Sequence, residues 1–374
     1  MSGIYLHIPF CKKACNYCNF HFSTNQQKMD DLVQALVQEI ALQQPYLSDE
    51  VETIYFGGGT PSLLKPAQLN WLLETIHQTF TVKPDAEITL EANPDDIEPA
   101  ILHTWKKAGI NRLSIGIQSF QETDLAWMGR AHNALQAKDC IRMAQEAGIT
   151  NLSIDLIYGG PTLSHENWKL NLETAIESGV PHLSCYALTV EPKTALALKI
   201  NRQELPEIDT KHQSEQFSML QFITADAGYE QYEISNFALP EKRSKHNSSY
   251  WSGAHYLGLG PSAHSFNGVS RQWNISNNSL YIQSIQKGEV PFEKEVLTTV
   301  QQTNEYIMTA LRTVEGISAE KLDSIAQESV FAEVLTEAQK YINQGMMELT
   351  DKQLRITPAG KFMADGIAAD LFRD

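Results

Sequence analysis

Three cysteines near the start of the chain have the spacing of metal ligands. Cys11, Cys15 and Cys18 lie in the segment CKKACNYCNF, in the pattern C-x3-C-x2-C. Thiolates bind zinc and iron–sulfur clusters, and both kinds of site normally use four protein ligands. Three closely spaced cysteines therefore favour a [4Fe-4S] cluster with one iron open to another ligand. Two alternatives are a zinc site completed by His7 or His21, and three buried thiols.

The other two cysteines, Cys140 and Cys185, lie far from this segment, in a helical and a strand pattern respectively. Because unpaired cysteines are often buried, we expect both to be core residues. An odd total of five, with three in one loop, does not form a disulfide framework. A thiolate cluster persists only under reducing conditions, which predicts a cytoplasmic protein.

Composition and charge weigh against several classes of protein. The chain has 374 residues, of which 42% are hydrophobic and 20% charged, as in ordinary globular proteins. The formal net charge of −16 disfavours a nucleic-acid substrate, which normally needs a basic surface. No apolar run reaches the roughly 18 residues of a transmembrane helix. The first residues, MSGIYLHIPF, lack the features of a signal peptide.

Strand patterns and helix patterns alternate through the first half of the chain. The predicted strands are 3–9, 52–57, 87–93, 112–119, 151–158 and 182–188. Amphipathic helical segments lie between them, and Gly109, Gly148 and Gly179 follow three of these segments. Six βα repeats predict an α/β protein with a parallel sheet. Since eight repeats would close a full barrel, six predict a partial (β/α)6 TIM-like barrel that is open on one side.

One face of these strands is polar. In the third strand Thr89, Glu91 and Asn93 alternate with apolar residues, and Gln118 and Asp155 lie on the polar faces of the next two strands. A parallel strand buried on both faces would be almost continuously apolar. If helices cover the apolar face, the polar face lines the barrel and its buried groups need a polar ligand. The alternative, a solvated open sheet, is disfavoured by the helices between the strands.

A glycine-rich turn, YFGGGTPSLL, follows the second strand and lets the backbone approach a ligand closely. Together with the cysteine loop after the first strand, this turn resembles the radical S-adenosylmethionine (SAM) proteins. More narrowly, the chain resembles the oxygen-independent coproporphyrinogen III oxidase family. The segments that carry this resemblance are YLHIPFCKKACNYCNF, YFGGGTP, LEANPD, SIGIQSF, MGR and SIDLIYGGP.

The resemblance implies roles for individual residues. Cys11, Cys15 and Cys18 would bind a [4Fe-4S] cluster, whose fourth iron is chelated in that superfamily by the amine and carboxylate of SAM. Carboxylates can accept hydrogen bonds from ribose hydroxyls or an ammonium, and arginine can pair with a carboxylate. The residues that match SAM-binding positions are Tyr5, Gly57, Gly58, Thr60, Pro61, Glu91, Gln118, Arg130, Asp155 and Ala187.

Three features resemble the HemW-type heme chaperone branch of this family rather than the oxidases. Oxidases have a further cysteine where this chain has Phe20, and a longer segment where only ten residues precede Cys11. The chaperone branch has an HNxxYW motif, which is HNSSYW here. His246, Tyr250 and Trp251 are therefore candidate heme contacts, because histidine can bind heme iron. The alternative for His246 is an exposed loop residue beside the basic stretch EKRSKHN.

The resemblance thus implies a radical SAM heme chaperone that binds a [4Fe-4S] cluster, SAM and heme and delivers the heme to a receiving protein, for which a membrane-associated protein is one candidate. The alternative is the oxidase itself, which decarboxylates the propionates of coproporphyrinogen III to form protoporphyrinogen IX through a 5′-deoxyadenosyl radical. Either function needs an electron donor. Radical SAM modification of RNA is disfavoured by the acidic charge.

The chain is predicted to have three parts. Residues 1–200 form the radical SAM barrel, and residues 201–295 form an extension that carries HNSSYW. In residues 296–374, three helical segments precede the hairpin-like stretch MELTDKQLRITPAG, which predicts a mainly helical, winged-helix-like domain. Because this last part is not basic, we expect it to act as a lid or docking module rather than to bind DNA.

Overall fold

Six parallel strands form the centre of a large sheet in the computed structural model, which describes residues 2–373. The strands are β1 (Ser2–Ile8), β2 (Val51–Gly58), β3 (Val82–Ala92), β4 (Arg112–Gln118), β5 (Leu152–Tyr158) and β6 (His182–Ala187). Between them lie α1 (Met29–Leu42), α2 (Pro66–Thr79), α3 (Pro99–Ala108), α4 (Glu122–Met128), α5 (Ala134–Glu146) and α6 (His165–Glu177). Successive strands pair in chain order, which confirms the six predicted βα repeats.

The apolar face of the sheet packs against the helices and forms the main core. Ile4, Leu6 and Ile8 of β1 are fully buried there, together with Leu32 and Leu36 of α1. Alternate residues of a strand share a face, whereas residues three and four apart share the face of a helix. These two periodicities bring the apolar positions of both kinds of element to one interface. The opposite, polar face of the strands is left to line the interior of the curved sheet.

The sheet continues beyond β1 and β6, which the sequence did not predict. The elements of this region are α7 (Ala195–Asn201), α8 (Thr210–Asp226), β7 (Glu230–Glu233), β8 (Asn236–Ala238), α9 (Lys245–Ser252), β9 (His255–Leu259), β10 (His264–Phe266), β11 (Ser270–Asn274), α10 (Asn278–Gln286) and β12 (Phe292–Val296). Strand β9 is parallel to β1 and is followed outward by β10, β11 and β12, while β8 and β7 extend the sheet beside β6. Both edges of the six-stranded unit are therefore covered.

A buried carboxylate joins α1 to this extension. Glu39 accepts hydrogen bonds from the Tyr281 hydroxyl at 2.5 Å, from the Asn274 amide at 2.6 Å and from the Gly260 backbone N–H at 2.7 Å. Burial raises the pKa of Glu39 to about 7, although the three hydrogen bonds oppose this shift. The side chain thus connects one barrel helix with three parts of the chain more than 200 residues away.

The end of the chain forms a small unit with its own core. It contains α11 (Thr299–Leu311), β13 (Ile317–Ser318), α12 (Ala319–Ala326), α13 (Phe331–Asn343), β14 (Met347–Thr350), β15 (Gln353–Ile356) and α14 (Ala364–Asp370). Its antiparallel sheet has the order β13-β15-β14, so the predicted sequence of helices and a hairpin is present. Arg312 attaches this unit to the body, because it pairs with buried Glu233 at 2.9 Å and lies over the Trp251 ring.

None of the helices described between residues 2 and 373 has the length and apolar character needed to cross a lipid bilayer.

Candidate functional site

A cavity of about 360 Å³ opens at the carboxyl ends of the central strands. Its wall combines the cysteine loop, the glycine-rich turn and inward-facing residues from β3 to β6. Cys11, Cys15 and Cys18 all line it, because the loop after β1 folds over the strand ends. Parallel α/β proteins bind ligands at this end of the sheet, where the loops that follow neighbouring strands meet.

The cysteine loop is anchored to the protein and lies beside a positive charge. The backbone N–H of Cys11 donates to the carbonyl of Ser23 at 3.0 Å. The guanidinium of Arg130 donates to Cys15 Sγ at 3.3 Å. Burial raises the pKa of the Cys11 thiol and raises that of Cys18 to about 11. Metal binding at these two thiols therefore has to displace protons, as is general for cysteine sites.

Neither histidine considered as a fourth zinc ligand faces the three thiols. His7 Nδ1 lies 3.1 Å from the Tyr5 hydroxyl, and its Nε2 lies 3.0 Å from the carbonyl oxygen of His21. The Nε2 of His21 lies 2.6 Å from Asn278 Oδ1. Among the described residues that line the cavity there is no histidine. Three thiols without a fourth protein ligand fit a [4Fe-4S] cluster with one open iron better than they fit zinc.

Cys140 and Cys185 are core residues, as predicted. Cys140 lies on α5 and Cys185 on β6, and each side chain is at most 1% exposed. Burial raises the pKa of Cys140 to about 12, so this thiol stays protonated and unreactive. Neither residue lines the cavity.

The glycine-rich turn brings bare backbone to the cavity. Gly58 has a φ of +108°, and a Cβ at this position would lie 2.7 Å from the His7 ring. A Cβ at Gly59 would lie 2.8 Å from the backbone of Phe10. Since any side chain would collide, only glycine fits at these two positions. Thr60 and Pro61 continue the turn along the cavity wall.

Two carboxyl groups face the cavity from different strands. Glu91 of β3 accepts from the Tyr55 hydroxyl at 2.8 Å and from the Gly58 backbone N–H at 3.2 Å. Burial, with a smaller contribution from the charge of Asp155, raises the pKa of Glu91 to about 8. Burial also raises the pKa of Asp155 on β5 to about 6, although the nearby Arg112 charge opposes this effect. A cationic ligand with hydroxyl groups would stabilise both ionised carboxylates.

Arg130 is held between the strand ends and the cysteine loop. Its Nη2 donates to Asn93 Oδ1 and to the carbonyl of Gly116, each at 2.7 Å. Gln118, at the end of β4, has a φ of +67° and lies at an irregularity in the register between β4 and β5. Positive φ at a residue other than glycine stores strain and is often found at functional sites. A Cβ at Gly116 would lie 2.9 Å from Gln118 Nε2 and 3.1 Å from Arg130 Nη2, so a side chain at this position would crowd both residues.

The cavity brings together most of the residues that match SAM-binding positions. Those that line it are Gly58, Thr60, Pro61, Glu91, Gln118, Arg130, Asp155 and Ala187. Tyr5 and Gly57 differ from this expectation, because neither lines the cavity. They lie beneath its floor, where a Cβ on Gly57 would be 2.8 Å from the Tyr5 ring and 3.0 Å from Glu91. In this structure they support the cavity rather than form its surface.

Three polar residues of the barrel interior were not assigned a role from the sequence. Tyr55 and Asn93 orient Glu91 and Arg130, respectively. Arg112 is 1% exposed, and none of its three guanidinium nitrogens has a hydrogen-bond partner among the described residues. Period-two alternation in β2 would have identified Tyr55 as an inward residue. No local pattern distinguishes Arg112 from the surface arginines that often begin a strand.

Comparison with known proteins identifies the family. Residues 5–188 match the radical SAM superfamily, and residues 297–363 match the HemN C-terminal domain. The heme chaperone HemW of Mycobacterium tuberculosis is 33% identical over 99% of this chain and 94% of its own length. That of Bacillus subtilis is 33% identical over 98% of both chains. The chain belongs to the HemW family.

The fold agrees with this membership. Coproporphyrinogen III oxidase (HemN) from Escherichia coli, a radical SAM enzyme, superimposes with a TM-score of 0.87 and 25% sequence identity, over 99% of this chain and 90% of its own. The predicted α/β class and helical C-terminal domain are thereby confirmed. Membership of the radical SAM superfamily implies a [4Fe-4S] cluster and SAM. The three thiols and the polar lining of the cavity fit both groups.

The histidine of the HNSSYW motif is an interior residue in this member of the HemW family. His246 is 1% exposed and lies on α9, beside the first residues of β1 and β2. Its Nδ1 is 2.7 Å from Thr53 Oγ1, its Nε2 is 2.9 Å from the Tyr250 hydroxyl, and its ring stacks on Tyr55 at 4.8 Å. Burial lowers the pKa of His246 to about 3. The alternative reading of His246 as an exposed loop residue is therefore wrong.

The same contacts bear on heme binding. Because both ring nitrogens of His246 are engaged inside the protein, this conformation offers no free nitrogen to a heme iron. Tyr250 and Trp251 are placed differently, since both line a second cavity where α9 meets the C-terminal unit. The two aromatic residues of the motif therefore line a cavity that its histidine does not reach, although Tyr250 also contacts His246.

Proposed function

We propose that the protein is a radical SAM heme chaperone. It would hold a [4Fe-4S] cluster and SAM in the barrel cavity and deliver heme to a receiving protein. The observation that supports this most strongly is 33% identity to proteins named heme chaperone HemW over 98–99% of the chain. The cavity supports the cofactor part of the proposal, because three thiols and two carboxyl groups meet there.

In this proposal Cys11, Cys15 and Cys18 bind the cluster, and the cluster would supply an electron to SAM bound at its open iron. Arg130 offsets the negative charge of the thiolates, since its guanidinium already lies 3.3 Å from Cys15 Sγ. Glu91 and Asp155 accept hydrogen bonds from the cationic, hydroxyl-bearing ligand. The backbone of the glycine-rich turn leaves room for that ligand and, through the Gly58 N–H, holds Glu91 in place.

The partners follow from the same argument. The cluster needs an external electron donor, and the heme needs a receiving protein, which we expect at or near a membrane. We place the protein in the cytoplasm, because its cysteine loop requires reducing conditions. The net charge of −16 disfavours nucleic acid as a partner.

The second candidate function is the oxidase reaction on coproporphyrinogen III. The similarity to the fold of HemN, with a TM-score of 0.87, favours it. Phe20 disfavours it, because this residue occupies the position of the additional cysteine that the resemblance associates with oxidases. Phe20 lines the cavity with its side chain 70% exposed. Because the residue is phenylalanine, it offers no thiol at this position.

Two assays on the anaerobically reconstituted protein distinguish the two functions. Hemin titration followed by absorbance should show saturable binding. Incubation with coproporphyrinogen III, SAM and a reductant should give no protoporphyrinogen IX. Robust formation of protoporphyrinogen IX would replace the chaperone proposal with the oxidase. Absence of hemin binding would also reject the chaperone proposal.

The cluster assignment has its own test. Cys15→Ala should abolish the broad visible absorption of the cluster and lower the iron content from about four atoms per chain. Cys140→Ala is the matched control, because its thiol is buried in the core and does not line the cavity. Loss of iron in the Cys140 variant would contradict the ligand assignment.

A further inference from the structure

Two histidines and a glutamate meet outside the barrel cavity, where two helices are in contact. His165 is the first residue of α6, and His212 and Glu215 lie in the first two turns of α8. One imidazole nitrogen of each histidine and one carboxylate oxygen of Glu215 all lie within 4.8 Å of one another. None of the three residues lines the barrel cavity, so the proposed cofactor chemistry does not account for them. We call this group of three residues the helix-pair site.

The packing of α8 against α6 brings the three side chains together. Residues three apart on a helix share a face, so His212 and Glu215 are neighbours on α8. His165 reaches them from α6, which is held to α8 because the Trp168 indole donates to the carbonyl of Gln216 at 2.9 Å. The imidazole rings of His165 and His212 lie almost parallel, with their centroids 4.4 Å apart.

A backbone carbonyl fixes the tautomer of His212. Its Nε2 lies 2.8 Å from the carbonyl oxygen of Leu163, a distance that requires a proton on this nitrogen. Gln216 Nε2 lies 3.0 Å from the same ring nitrogen but donates to the same carbonyl, at 2.9 Å. The free lone pair of His212 is therefore on Nδ1. Metal-binding histidines are normally oriented in this way, by donating from the other ring nitrogen to a carbonyl or carboxylate.

The other two groups have only weak partners. His165 Nε2 is shielded from solvent and has no hydrogen-bond partner among residues 2–373, and it lies 3.5 Å from Glu215 Oε2. Glu215 also pairs with the exposed Lys211 at 3.8 Å, and a surface pair of this kind contributes at most about 1 kcal/mol. The side chains of His165 and Glu215 are 41% and 47% exposed, so both have room to move.

Two imidazoles and one carboxylate are a typical ligand set for a divalent transition metal. Zinc binds histidine nitrogen and carboxylate oxygen at about 2.0–2.2 Å in a tetrahedron, which places the ligand atoms about 3.3 Å apart. The present separations of up to 4.8 Å would therefore shorten by at most about 1.5 Å, which side-chain rotation can supply. Three protein ligands leave the fourth position to water. Mg²⁺ and Ca²⁺ suit the site less, because they prefer oxygen ligands alone.

We propose that the helix-pair site binds one divalent transition metal, for which zinc is the best match, through His165, His212 Nδ1 and Glu215. The metal would join α6 to α8 and, with them, the loop of residues 159–164 that follows β5. This loop already contacts α8, since the Gly159 backbone N–H donates to Gln216 Oε1 at 2.6 Å. The role is structural, and it does not depend on the proposed chaperone function.

Zinc titration of the full chain tests the site. Isothermal titration calorimetry should show one zinc per chain in the wild type and no binding of Mg²⁺. His165→Ala and His212→Ala should each weaken zinc binding by at least about tenfold, the loss that even removal of a supporting residue causes. Glu215→His keeps three ligands and should retain most of the affinity. His255→Ala, at an exposed position of β9 outside the site, is the matched control.

The cysteine loop could also bind zinc, so its thiols have to be removed from the competition. The titration is therefore run twice, once after anaerobic reconstitution of the iron–sulfur cluster and once in a chain with Cys11, Cys15 and Cys18 replaced by alanine. The second protein makes the result independent of the cofactor assignment. Both proteins should bind one zinc.

Thermal unfolding followed by circular dichroism tests the link between the helices. Zinc should raise the melting temperature of the protein with His165 and His212 intact, because a ligand that binds the folded state stabilises it. It should not raise that of His212→Ala. If the chain without the three cysteines binds no zinc, or if both histidine variants bind zinc as tightly as their parent, the two rings are only a stacked pair and the proposal is wrong. A melting temperature that bound zinc leaves unchanged would also contradict it.

Discussion

His246→Ala should destabilise the protein strongly, because the imidazole is part of the interior. The substitution leaves the Thr53 hydroxyl and the Tyr250 hydroxyl without their partners at 2.7 and 2.9 Å. Each buried polar group left unpaired costs about 1–3 kcal/mol. The space left by the ring, which now stacks on Tyr55, costs about 2 kcal/mol more. We expect the free energy of unfolding to fall by at least about 4 kcal/mol, the sum of the lower values, which is a large part of the usual 5–15 kcal/mol.

The pH dependence of this loss follows from the pKa of His246. Burial lowers that pKa from 6.5 to about 3. Between these two pH values the unfolded chain binds a proton at His246 and the folded chain does not. The contribution of His246 to the free energy of unfolding is therefore fully present above pH 6.5 and is lost as the pH falls toward 3. The difference between wild type and variant should therefore shrink by about 2 kcal/mol between pH 7.5 and pH 5.

Urea unfolding followed by circular dichroism, at both pH values, measures this difference. His103→Ala, at an exposed position of α3, is the matched control and should change the free energy of unfolding by less than about 0.5 kcal/mol. Hemin titration of the folded variant completes the test. A His246→Ala protein that keeps wild-type stability but loses hemin binding would refute the interior role and restore His246 as an iron ligand.

Three further predictions concern the barrel. Asp155→Asn should weaken SAM binding by about 1.5–3 kcal/mol at unchanged iron content, measured by equilibrium dialysis; unchanged affinity would contradict the placement of SAM at this carboxylate. Arg112→Met removes a positive charge that lowers the pKa of Asp155, which is about 6 in the wild type. The pKa of Asp155 should therefore rise, and the pH at which SAM affinity increases should rise with it. An unchanged pH profile of SAM affinity would show that the Arg112 charge does not act on Asp155. Glu39→Leu leaves the Tyr281 hydroxyl and the Gly260 backbone N–H without their acceptor and should lower the free energy of unfolding by at least about 2 kcal/mol. A fully stable variant would contradict the role of Glu39 in connecting α1 to the extension.

Local spacing determined the parts of the protein that the sequence predicted correctly. The cysteine loop, the glycine-rich turn and the alternation within β3, β4 and β5 each lie within a short segment. Because a strand places alternate residues on opposite faces, Glu91 and Asp155 were assigned to the interior without any knowledge of their partners. Chain order then placed the ends of neighbouring parallel strands together, since consecutive βα units form adjacent strands in most sheets.

Tertiary structure decided what depends on residues far apart in the chain. His246 pairs with Thr53 across 193 residues, so nothing near HNSSYW revealed that its histidine is buried while Trp251 lines a cavity. The extra strands beside β1 and β6 are short, and their pairing is fixed by the edges they meet rather than by their own periodicity. The sequence by itself therefore determined which residues face inward within each strand. Only the folded chain decided which distant groups satisfy one another there, because a buried hydrogen bond requires a specific partner in space and not a specific spacing in sequence.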